Sequence, residues 1–168
     1  MIRVFFDTEF SGLIVDPKLI SIGLVAEDGE RLFYAELTDT WNAAECDHFV
    51  QDAVISQLEG GSHRMSFAEL GQRLTAWLEE FDSPVQLATD SLAWDWPWIQ
   101  EIFHELGAWP ENLDGQPLLL TVNYLNDYNA FMDAVENAFT SGLRRHHALD
   151  DAKANRLGWI AAGGTIPG

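Results

Sequence analysis

Asp7 and Glu9 stand two residues apart in an apolar opening, MIRVFFDTEF. On a strand, residues two apart project from one face, so both carboxylates leave together at its C-terminal end. Side by side they repel, and desolvation sharpens the repulsion. A hard divalent cation such as Mg²⁺ or Mn²⁺ relieves it, because such ions favour carboxylate oxygens. The plainer alternative is a strand end that emerges into solvent. A second group lies near the C-terminus, Arg144-Arg-His-His-Ala-Leu-Asp-Asp151. Asp150 and Asp151 open a helical stretch, where the backbone dipole alone favours carboxylates. Either His146 or His147, just ahead of that stretch, titrates near neutrality and can take a proton from a water held against the acids; a surface loop histidine is the commoner case. In a third group, Asp90-Ser-Leu-Ala-Trp-Asp95, Asp90 or Asp95 can join from a strand end or a helix start, and Asp95 also suits the cap of a helix containing Pro97. Carboxylates around cations, with one imidazole as base, point to metal-assisted hydrolysis.

These groups need elements to bring them together. Ile2–Thr8 is apolar on both faces, as a central buried strand is. The runs Leu19–Glu27 and Glu30–Leu37 are β-rich and meet at Asp28-Gly29, a hairpin signal. Ser66-Phe-Ala-Glu69 is a capping box, and Leu70, Leu74, Trp77, Leu78 and Phe81 follow at helical spacing. Val85–Thr89 reads as a short buried strand and Pro117–Val122 as another. Helices are expected over Trp96–Leu106, with Pro97 in the first turn, over Asn129–Phe139 and over Ala148–Ala161. Three strands with a hairpin, followed by alternating helices and strands, predict an α/β class with a mixed sheet flanked by helices. A single domain over 1–162 with a mobile tail over 163–168 is expected.

With 168 residues and 47% hydrophobic composition, the chain can bury a core without staples. One cysteine, Cys46, excludes an internal disulfide and a cysteine-based zinc cluster. The opening has one basic residue and an apolar run broken by Asp7, unlike a secretion signal. No stretch approaches the ~18–20 apolar residues of a membrane span, so no membrane association and a cytoplasmic location are expected. A net charge of −18 argues against a protein that coats nucleic acid, since phosphate binders usually carry a basic footprint. Bound cations can invert that sign locally. Four of the nine cationic residues, Arg144, Arg145, Lys153 and Arg156, fall near the C-terminus. They are candidate phosphate contacts, or a solvated helix-terminal face.

Taken in order, the three groups resemble the motifs of the DnaQ-like, or DEDDh, 3′→5′ exonucleases across nearly the full chain. Asp7-Thr8-Glu9 matches the first motif, D-x-E. Trp94-Asp95 matches the second, an aromatic followed by Asp, and this favours Asp95 over Asp90. His146-His147-Ala148-Leu149-Asp150-Asp151-Ala152 matches H-x-A-L-x-D-A, a register that selects His146 and Asp151. Size and the FDTEF opening are most similar to compact mycobacterial-type exoribonucleases. Asp7 to Leu13 looks like the opening of oligoribonuclease. Ser91 and Ser11 depart from the common Asn and Thr.

The resemblance implies an RNase H-like fold and two divalent metal ions, Mg²⁺ or Mn²⁺, held by Asp7, Glu9, Asp95 and Asp151, with His146 as general base. It further implies contacts of Phe10, Ser11, Gly12 and Leu13 with the terminal nucleotide, and of Arg144, Arg145 and Lys153 with phosphates. Leu13 suits a wedge between the last two bases or ordinary packing. The expected substrate is RNA, single-stranded or with a 3′ overhang, degraded to nucleoside 5′-monophosphates. DNA is the alternative, and a non-catalytic RNase H-like binding protein a further one. Seven Trp and several aromatic runs can supply an interface, so a homodimer is expected.

Overall fold

The computed structural model, which describes residues 1–164, is built on one six-stranded sheet. Its strands are β1 (Ile2–Phe10), β2 (Leu19–Ala26), β3 (Leu32–Leu37), β4 (Arg64–Met65), β5 (Val85–Thr89) and β6 (Leu118–Leu119). The helices are α1 (His48–Ala53), α2 (Phe67–Glu79), α3 (Leu92–Leu106), α4 (Tyr128–Thr140) and α5 (Ala148–Ala161). Across the sheet the order is β4-β3-β2-β1-β5-β6. The pairs β1–β2 and β2–β3 are antiparallel, and β3–β4, β1–β5 and β5–β6 are parallel. This is the expected mixed sheet with helices on both faces.

Alternation along β1 assigns its side chains to two cores. Val4 and Phe6 pack with Leu70, Leu74 and Leu78 of α2 and Ile99 and Ile102 of α3. Phe5, on the other face, packs with Phe131 of α4 and Ala152 and Trp159 of α5. Asp7 and Glu9 continue the Phe5 row, so they too face α4 and α5. Asp7 is paired in register with Gly23 of β2. A β-carbon on Gly23 would come within 2.2 Å of the Leu149 backbone nitrogen and 2.3 Å of its Cα. The missing side chain therefore lets the first turn of α5 rest on the strand beside Asp7.

Several boundaries differ from expectation. Helix α3 begins at Leu92, four residues before Trp96, because Leu92, Ala93 and Trp94 are competent helix formers and the N–H groups of Trp94 and Asp95 bond to Ser91 O. Asp95 is therefore a helical residue and not a cap, and Pro97 lies beyond the first turn. The strand expected over 117–122 pairs only at Leu118–Leu119, and the chain turns at Thr121, whose N–H bonds to Leu119 O. The capping box at Ser66 and Glu69 forms as expected. The segment 43–65, with α1, three 3-10 turns and β4, carries no periodic signal long enough to read from sequence. Of the expected tail over 163–168, residues 165–168 lie outside the described residues. Among the described residues, no helix is long and apolar enough to cross a membrane.

Substituting Gly23→Ala should destabilise by about 1–3 kcal/mol or more, since the clash is with backbone. At roughly 2–4 °C per kcal/mol for a chain of this size, a drop of several degrees in Tm is expected by calorimetry. Gly115→Ala, where a β-carbon meets nothing within 4 Å, should leave Tm nearly unchanged.

Candidate active site

Two adjacent groups of ligand atoms form where β1 and β5 end. One oxygen of Glu9, one of Asp151 and a ring nitrogen of His146 lie within 4.8 Å of one another. Oxygens of Asp7, Asp90 and Asp95 do likewise. The strand supplies Asp7 and Glu9 by alternation, and α5 supplies Asp151 from its first turn. His146 precedes α5 with φ 63°, a left-handed conformation that a bulky non-glycine residue adopts only under constraint. Two neighbours from segment 43–65 supply that constraint. Phe49 of α1 meets the imidazole edge-on at 4.9 Å, and Gln57 Nε2 donates to Arg145 O at 2.8 Å and His146 O at 3.4 Å. Neither was legible in the sequence, because both act through contacts roughly ninety residues away.

Asp95, 1% exposed, enters from α3. Its Oδ1 accepts from Thr8 Oγ1 at 2.6 Å and from Thr8 N at 3.2 Å, and its Oδ2 accepts from Thr89 Oγ1 at 2.5 Å. It thereby ties the end of β1 to the end of β5. Asp90, one residue past β5, is exposed and accepts from Asn155 Nδ2 of α5 at 2.8 Å. Asn155 itself is buried.

Burial and repulsion between carboxylates hold the proton affinities of Asp7, Glu9, Asp95 and Asp151 high. Burial pushes Asp7 well above the usual carboxylate range, and Asp95, Glu9, Asp151 and Asp90 add to it. Glu9 is pushed up to about 9, by burial first and then by Asp151. Asp151 is raised to about 7 by burial, against a hydrogen bond from Glu9. Asp95 is raised to about 6 by burial, against its bonds from Thr8 and Thr89. His146 is lowered, by burial and then by Arg145, so its imidazole is neutral over more of the pH range. A hard-oxygen donor set with a neutral imidazole beside it suits divalent cations and a proton acceptor.

The acids line a cleft of about 430 Å³, whose other walls include Phe10, Leu13, Trp94, Phe131, Met132 and Phe139. Phe10 and Trp94 stack at 5.8 Å and 18°, and Leu13 is 72% exposed. Such walls can hold unstacked bases. Ser11 is buried beside the cleft, and its hydroxyl accepts from Lys18 N at 2.9 Å. Gly12, at φ 134°, lies against Asp47, so its backbone, without a side chain, passes close to the cap of α1. Arg145 borders the cleft but forks onto Glu136 at 2.9 and 3.0 Å and lies over Phe139. Arg144 faces away from the cleft, bonded to Glu59 at 2.8 Å and Asp150 at 2.7 Å. Lys153 lies 3.8 Å from the same Asp150. His147 is buried and stacked on Tyr34 at 4.7 Å. The structure thus brings together Asp7, Glu9, Asp95, Asp151 and His146, adds Asp90, and leaves Arg144, His147, Asp150 and Lys153 in a separate cluster. A larger open hollow between Gln100 and Trp109 holds one carboxylate, Glu101, and no group of acids.

No family model matches the chain, and no curated protein matches it. Solved structures do resemble it. S. pombe Pop2p in its Mg²⁺- and Mn²⁺-bound form superposes with a TM-score of 0.62 at 15% identity, covering 94% of this chain and 81% of Pop2p. The nuclease domain of 3′hExo, a DEDDh family member bound to rAMP, superposes with a TM-score of 0.52 at 15% identity, covering 96% of this chain and 90% of that domain. These likenesses establish the fold: the chain shares the α/β arrangement of these two proteins, a mixed sheet flanked by helices.

Proposed function

We propose that this protein is a metal-dependent 3′→5′ exoribonuclease of the DEDDh kind, releasing nucleoside 5′-monophosphates from RNA ends. The observation that carries the reading is the meeting of Asp7, Glu9, Asp95, Asp151 and His146 at the ends of β1 and β5. It is supported by the shared fold with a Mg²⁺- and Mn²⁺-bound protein and with a DEDDh nuclease domain bound to rAMP. Asp7, Glu9 and Asp151 would hold one divalent ion. Asp7 would hold a second, with Asp95 acting directly or through water. When bound, such ions neutralise charge on the scissile phosphate and polarise it. His146 accepts a proton from the attacking water, whose oxygen bonds to phosphorus as the bond to the 3′-oxygen of the preceding nucleotide breaks. That oxygen takes a proton from solvent, leaving the shortened chain and a nucleoside 5′-monophosphate.

Preference for an end follows from the first motif's loop. Phe10, Ser11, Gly12 and Leu13 would receive the terminal nucleotide, with exposed Leu13 against the penultimate base. Arg145 is the phosphate contact this placement favours; Arg144 and Lys153 reach phosphate only by leaving Glu59 and Asp150. A homodimer belongs to the same proposal, supported by exposed Val122, Tyr124 and Tyr128. So does a cytoplasmic location.

On 5′-labelled RNA with Mn²⁺, wild-type protein should give a ladder shortening from the 3′ end, and a 3′-phosphate should block it. Asp7→Ala and His146→Ala should lower turnover by at least about 10²-fold, the scale of general-base catalysis, with the fold intact by circular dichroism. Internal cuts, equal digestion of blocked ends, or normal turnover by Asp7→Ala would overturn the proposal. A matched DNA oligonucleotide decides the sugar preference.

The acids give a second check. Their folded-state proton affinities exceed unfolded ones, so between those values the folded protein binds more protons and stability falls as pH rises. For the metal-free protein, Tm should fall from pH 5 to 9, the window spanned by Asp95 near 6, Asp151 near 7 and Glu9 near 9. Mn²⁺ should raise Tm most at the alkaline end, where it displaces the fewest protons. Thermal melts across pH with and without Mn²⁺ measure this, and an identical pH trend in both would contradict the site.

A further inference from the structure

We infer that Asp90, outside the three motifs, supplies a further carboxylate facing the second divalent ion, and that Asp95 doubles as a strut joining β1 to β5. This rests on the metal-dependent reading of the cleft and refines which of its residues meet metal. Three observations carry it.

First, the sheet register sets Asp90 beside Asp7. Phe5 pairs with Ala88 in the parallel β1–β5 ladder, and two further residues along each chain lead to Asp7 and Asp90. Their oxygens accordingly fall in one group within 4.8 Å, together with Asp95.

Second, the two aspartates differ in what their oxygens have left to give. A carboxylate offers about four lone-pair sites. On Asp95, 1% exposed, three are taken by Thr8 Oγ1, Thr8 N and Thr89 Oγ1, with both oxygens engaged. These bonds come from Thr8, near the end of β1, and from Thr89, the last residue of β5, as suits a group that fixes the strands' relative position. On Asp90 a single bond is formed, at Oδ1, and Oδ2 has no hydrogen-bond partner among the described residues. Asp90 is also exposed at the cleft, where an ion that keeps waters and a substrate oxygen can reach it.

Third, the single bond to Asp90 comes from Asn155, 4% exposed and one helical turn beyond Asp151 on α5. Ligating carboxylates are commonly oriented by such an outer hydrogen bond. The helix that delivers Asp151 to one group thereby also aims Asp90 at the other. An amide donor suits this role because it directs the carboxylate without neutralising it.

The test counts ions in the full-length protein, by Mn²⁺ titration with electron paramagnetic resonance of the free ion and by calorimetry. Wild type should bind two. Asp90→Asn, an exposed and nearly isosteric change, should bind one with Tm preserved. Asn155→Ala, which leaves every carboxylate in place, should weaken the second ion by roughly 10–100-fold, the usual cost of losing an outer hydrogen bond to a ligand. Thr89→Val, which removes a donor to Asp95, should lower Tm and retain both ions. Two ions bound by Asp90→Asn, one bound by wild type, or loss of the second ion in Thr89→Val with Asp90→Asn unaffected would each overturn the assignment. A wild-type protein that takes up no Mn²⁺ overturns the nuclease reading itself, which separates the two failures.

Discussion

Mutual repulsion among carboxylates is the constraint to which the structure around the cleft answers. Asp7, Glu9, Asp90, Asp95 and Asp151 come together from β1, the end of β5, α3 and α5, and the charge of their neighbours adds to burial in raising the proton affinity of Asp7 and Glu9. Their approach is held by packing elsewhere. Phe5, Phe131, Ala152 and Trp159 bind α4 and α5 to the sheet, and Gly23 presents no side chain to hold α5 away from Asp7. The apolar burial of that layer offsets the electrostatic cost at its edge, and divalent ions would remove the cost outright.

The distribution of cations follows from the same constraint. With 27 acidic and nine basic side chains, most guanidinium groups near the cleft already serve the protein's own acids. Arg144 joins Glu59 to Asp150, and Arg145 grips Glu136. A phosphate approaching the cleft would meet acids, Arg145 and aromatic walls, so the proposed binding of a polyanion would require cations among the carboxylates. Exposed ion pairs contribute little to stability. Here Arg144 matters more for tethering the loop before α5 to the segment around Glu59.

That segment, 43–65, gives the cleft its remaining order. Through Phe49 and Gln57 it braces His146 in its left-handed conformation, and through Asp47 it abuts Gly12 of the first motif's loop. The proposed base and the loop proposed to receive the chain end thus share one support. Strain at His146 is maintained because several unrelated contacts oppose its relief.

What local chemistry writes into a chain was legible in this one. Two-residue alternation put Asp7 and Glu9 on one face, the capping box marked the start of α2, and the helix over Ala148–Ala161 has the expected limits. The motifs' order singles out His146 and Asp151, and the structure groups those two together while His147 and Asp150 lie in another cluster. Period and spacing, however, fix only which way a side chain leaves its own backbone. Whether Asp90 or Asp95 has oxygens to spare depends on Thr8, Thr89 and Asn155, up to 87 residues away. Whether Arg144 is free for phosphate depends on Glu59, 85 residues away. Those partners are chosen by sheet order and helix packing, so only the tertiary structure decided which charges were left unspent.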